Sequence, residues 1–154
     1  MRTSLATDAG ICPGVAVGIA VALRAFTLTP RVAWCRSGFA GPGISASLDQ
    51  YDAELSATHV WDAGLLSVQF GLTVGGSFLR QSFSTQGAAP KRTTGALQLA
   101  PSIGITRDVG QRTYVYLLGS ASTYLLRTQD PSTARSSFGP SFAVRTAIGV
   151  GYRL

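Results

Sequence analysis

The residues able to do chemistry in this chain are few and scattered. His59 is the single histidine, and no G-x-S-x-G segment offers an activated serine. Gly71, Gly75 and Gly76 in GLTVGG look superficially like a phosphate-binding loop, but they sit mid-strand with no helix to follow, so packing explains them better. Cys12 and Cys35 match no metal or redox spacing. A disulfide between them stays open in an oxidising compartment, but their strand positions do not demand one, so unpaired cysteines are the favoured reading. What remains is charge. Arg31, Asp52, Glu54 and Arg145 could neutralise one another, and Lys91, Arg92, Arg127 and Arg135 could hold phosphate through charge-assisted hydrogen bonds or simply be solvated. No catalytic set, metal site or cofactor is expected.

The cations exceed the anions by 13 to 7, a net charge of +6. Lys91 is the only lysine and the arginines are spread along the chain, without the basic run or aromatic motif of a nucleic-acid binder. Nucleic acid is therefore not expected as a partner.

Charged groups need elements to hold them, and the composition limits which. Hydrophobic residues make up 45% of the 154 residues and charged ones 13%, where a soluble domain carries about 25% charged. There is too little charge to coat a water-facing surface. The run from Ile11 to Leu23 is too short to cross a bilayer as a helix, and Asp8 and Pro13 disfavour a signal peptide. Its order is period two: Val15, Val17, Ile19, Val21 and Leu23 alternate with Gly14, Ala16, Gly18, Ala20 and Ala22.

The same alternation recurs. A second strand runs through Leu28, Pro30, Val32 and Trp34 until GFAGPG at 38–43 breaks it, and a third spans about 45–59. WDAG at 61–64 reads as a tight turn, and the strand from Leu66 to Phe78 is nearly ideal. Loop 84–94, a strand through Leu97 to Ile105 and the turn 107–112 follow. In strand 113–126, Tyr114, Tyr116, Leu118 and Tyr124 blur the pattern, and its faces cannot be assigned. Loop 127–137 leads into FGPSFAVRTAIGVGYRL, whose even positions are bulky and odd positions are Gly, Ser, Ala or Arg.

The second face decides the solvent. A soluble sandwich or lipocalin-like barrel shows Lys, Glu and Asp there. Here Gly, Ala, Ser, Thr and Gln dominate, as the crowded interior of a narrow barrel requires. Bulky residues then face outward to lipid. The expectation is an all-β, antiparallel, up-and-down transmembrane β-barrel, with the backbone paired by closure. Aromatics group toward the two ends: Phe26, Trp61, Tyr114, Tyr116 and Tyr152 at one, and Phe39, Tyr51, Phe78, Phe83, Tyr124, Phe138 and Phe142 at the other, with Trp34 and Phe70 fitting less neatly.

From these features, residues 14 to 154 resemble the small bacterial outer-membrane β-barrel proteins. The last strand carries the most specific part: Ile148, Val150, Tyr152 and Leu154 look like the signal read by the barrel assembly machinery, with Leu in place of the usual terminal Phe. The resemblance implies an outer-membrane location, a periplasmic C-terminus and external loops at 38–43, 84–94 and 127–137, where Lys91, Arg92, Arg127 and Arg135 could meet lipopolysaccharide. Some such barrels are acyl transferases with a histidine near the outer surface. His59 lies beside a short inner turn instead, so no enzyme is expected.

Seven strands are visible where eight are expected. Residues 1–13 read as an external loop remnant upstream of the barrel domain, with a first strand and a signal peptide expected upstream of Met1; a distorted strand within residues 1–11 is the alternative. Arg31, Asp52 and Glu54 share the interior face, with Arg145 a further partner, and are expected to pair inside a filled bore. The expected role is structural or surface-interacting. A narrow solute pore and a soluble lipid-binding barrel are the alternatives.

Overall fold

Bulky and small residues alternate over most of the chain, and the backbone is extended wherever they do. The computed structural model describes residues 2–3, 11–41, 44–85, 92–129 and 136–152. These form β1 (Arg2–Thr3), β2 (Ile11–Cys12), β3 (Gly14–Gly18), β4 (Val21–Ala22), β5 (Thr27–Gly41), β6 (Ile44–Ala63), β7 (Leu66–Thr85), β8 (Arg92–Asp108), β9 (Thr113–Gln129) and β10 (Ser136–Tyr152), with no helix among the described residues. Segments β2, β3 and β4 follow one another closely along the chain. The long strands and β1 therefore make an up-and-down sheet of seven to eight antiparallel strands, ordered β2-β1-β10-β9-β8-β7-β6-β5-β3 with β4 also on β5. The ladder does not join its ends into a continuous ring.

Strands β6 and β7 reach 20 residues each, longer than the hydrophobic alternation suggests. Polar residues such as Asp49, Arg80, Gln81 and Ser82 interrupt the alternation toward one end of these strands while backbone pairing continues. GFAGPG does not break its strand where expected either, because β5 runs to Gly41 and pairs there with Ile44. At the opposite end WDAG folds tightly: β6 ends at Ala63, and Gly64 takes φ 74°. A two-residue loop needs this left-handed conformation, and glycine adopts it without a Cβ penalty.

The two faces differ sharply. On the inner face Gln50, Asp52, Glu54, Thr73, Gln98, Ser122 and Arg145 are buried, beside a small apolar cluster of Leu48, Leu79, Ala96, Tyr124 and Ala143. On the outer face Val32, Leu72, Leu97, Phe142, Val144 and Ile148 are exposed. Strand β9 resolves in the same way. Tyr124 is fully buried on the inner face, and the rings of Tyr116 and Tyr114 occupy the space where side chains at Gly149 and Gly151 would lie. These tyrosines are thus interior fillers rather than members of outer aromatic belts. Large residues on β9 are matched by absent ones on β10.

The N-terminal part differs from expectation in two respects. Arg2 pairs with Arg145 of β10 and with Cys12 of β2, so part of the segment read as a loop lies in the ladder. Cys12 and Cys35, read as unpaired, form a disulfide with a Cα separation of 5.6 Å. The Pro13 carbonyl accepts a hydrogen bond from the Arg36 backbone N–H, continuing the Gly14–Cys35 register, and Cys12 lies against β5. Sequence parity puts both on the small-residue face but does not give the register that brings them together.

Candidate functional site: a charge cluster on the inner face

Arg31 and Glu54 occupy paired positions on β5 and β6, so antiparallel pairing places both side chains on one face. Arg31 donates from Nε (2.9 Å) and Nη2 (2.5 Å) to Glu54 Oε2. The other carboxylate oxygen is held from far away in sequence: Arg145 Nη1 on β10 donates to Glu54 Oε1 at 2.5 Å, and its Nη2 to Asp52 Oδ2 at 3.0 Å. Between β6 and β10 lie β7, β8 and β9. Four strand spacings measure about 19 Å along a sheet, so this contact exists only because the sheet curls and brings its inner faces together.

Asp52 Oδ1 also accepts from Gln50 Nε2 at 2.9 Å and Ser77 Oγ at 2.5 Å. The Glu54 side chain is 0% exposed, Asp52 2%, Arg145 10% and Arg31 12%. Two cations and two anions cancel, and each carboxylate oxygen has a donor. Isolated charges in such a place cost several kcal/mol each, and mutual pairing offsets most of that. Around the cluster, Ser56 and Thr73 hydroxyls meet at 2.7 Å, Gln98 Nε2 donates to Ser122 Oγ at 3.2 Å, and Gln69 donates to Thr106. The four charges thus form a neutral set, while Gln50 Oε1 and Gln98 Oε1 beside it are buried without a hydrogen-bond partner.

The expected partners Arg31, Asp52, Glu54 and Arg145 are therefore brought together. Ile148, Val150 and Tyr152 are exposed on the outer face of β10 at 84%, 70% and 61%. Lys91, Arg135 and Leu154 lie outside the described residues. Arg92 and Arg127 have backbones in β8 and β9. His59 is exposed, with Nδ1 2.8 Å from the Ala25 carbonyl oxygen, and no cluster of three metal-ligating side chains occurs among the described residues.

One charged group escaped the sequence reading. Arg36, Asp49 and Arg80 are paired in series across β5, β6 and β7, on the outer face. Arg36 Nε lies 3.3 Å from Asp49 Oδ1. Each stands two residues from an aromatic on the same face, Trp34, Tyr51 and Phe78, which are themselves paired in series. The pattern was legible as W-x-R, D-x-Y and F-x-R. No family model, curated protein or solved structure matches the chain.

Proposed function

We propose that this protein is an eight-stranded β-barrel of the bacterial outer membrane, non-enzymatic, with a structural or surface-interaction role. The observation that carries the reading is its inverted polarity: charges and amides are buried inward while Leu, Val, Ile and Phe are exposed outward. In water such an outer face is an extreme apolar patch; against acyl chains it is the favourable arrangement.

The register supports closure. From Arg145, one path of paired residues passes through Arg2 to Cys12. The other passes through Ser120, Ser102, Gly71, Thr58 and Thr27 to Ala22. The paths meet the same run of chain ten residues apart, Cys12 to Ala22. That even stagger keeps every inner face inward, as a tilted closed barrel requires.

The bore is filled by a neutral cluster and interior tyrosines, which favours a scaffold over a conduit. Refolding into detergent should give a species that migrates differently on a gel when unheated and heated, and planar bilayers should show no sustained conductance. Protein that stays monodisperse in plain buffer would overturn the membrane reading; steady single-channel currents would favour a narrow pore.

A further inference from the structure

Resting on that reading, we propose that Arg36 and Arg80 form an outer-face site for the phosphate groups of anionic membrane lipid. The site stands on the ordering of side chains along the outer face. Toward the middle of the strands lie Val32, Leu55, Val74 and Leu99, all exposed and apolar. Next comes the aromatic row Trp34, Tyr51 and Phe78, at 38%, 47% and 50% exposure. One step further is Arg36, Asp49, Arg80, in register across three adjacent strands. Hydrocarbon-compatible, amphipathic and cationic residues thus succeed each other in the order in which acyl chain, glycerol or sugar region and phosphate succeed each other in a lipid leaflet.

Charge complementarity selects phosphate within that layer. Two guanidinium groups flank one carboxylate, so the row carries one excess positive charge. Arg36 meets Asp49 through Nε at 3.3 Å. Its side chain keeps 60% of its surface exposed, and Arg80 is exposed as well. Guanidinium donors match phosphate oxygens in paired geometry, which ammonium does not. Arg36 and Arg80 are two strand spacings apart, about 9–10 Å, with Asp49 between them. Each arginine therefore takes its own phosphate, and the fitting occupant presents two, on one headgroup or on adjacent lipids. The row is made of strand residues of β5, β6 and β7 and needs no loop conformation.

Trp34 on the same face supplies a reporter. With Trp61→Phe as background, protein in neutral detergent is titrated with phosphatidic acid, phosphatidylcholine or inorganic phosphate, and Trp34 emission is followed. Phosphatidic acid should give a saturable change, phosphatidylcholine and inorganic phosphate should give little, and Arg36→Gln with Arg80→Gln should weaken the response at least tenfold. Asp49→Asn, which removes the competing carboxylate, should strengthen it. Equal responses in the double variant and the parent, or equal responses to the two lipids, would overturn this site while leaving the barrel reading intact. A protein that needs no detergent would overturn both.

Discussion

Glu54 is the residue on which the inner network turns, because each of its oxygens serves a different strand. Replacing it with alanine leaves Arg31 and Arg145 without their shared anion in a place where their side chains are 12% and 10% exposed. Equilibrium unfolding in urea should show a loss of about 3–5 kcal/mol, the cost of an uncompensated buried charge. Asp49→Ala, at a pair whose arginine is exposed and whose acid is half-buried, should cost about 1 kcal/mol. If the two variants unfold alike, the inner cluster is not stabilising. The grouping of Arg31, Asp52 and Glu54 was legible from the parity of two adjacent strands. The bond from Arg145 depends on how far the sheet curls, which no local pattern records.

At the scale of elements, the pairing of β9 with β10 rests on size complementarity between Tyr116 and Gly149 and between Tyr114 and Gly151. Gly149→Val should lower the urea midpoint, and adding Tyr116→Ala should recover a substantial part of the loss, whereas independent sites would simply add. This explains why strand 113–126 resisted reading: its tyrosines make sense only beside the glycines of the next strand, some 30 residues on. The disulfide eluded the sequence for a related reason: alternation puts Cys12 and Cys35 on the same small-residue face, but the register that brings the two strands together is not a local pattern. Cys12→Ser with Cys35→Ser should cost about 2–4 kcal/mol in a loop of this separation, 23 residues. An unchanged unfolding midpoint after reduction would show that the bond adds nothing.

For the whole molecule, the distribution of polarity was legible in every long strand but 113–126, because it repeats along them and needs no knowledge of which strands touch. Placing an arginine at Leu72 or Val144, exposed at 49% and 58% on the outer face, separates the two environments that face could meet. In a bilayer the substitution should destabilise the folded protein by about 2–4 kcal/mol near mid-depth. In water it should be nearly neutral and raise solubility. Refolding yields into lipid vesicles, compared with the parent, measure the difference.

The inner charges also constrain how the chain can diverge. Glu54 is tied to positions 23 residues upstream and 91 residues downstream, so a lineage that exchanges Arg145 for an uncharged residue must soon surrender an acid at position 52 or 54. The apolar outward positions bear no such obligation and should drift freely among aliphatic and aromatic types, whereas the outer Arg36–Asp49 pair remains tied across β5 and β6. Descendants of this sequence would therefore carry linked substitutions at the inner charges and unlinked ones at the apolar outward positions.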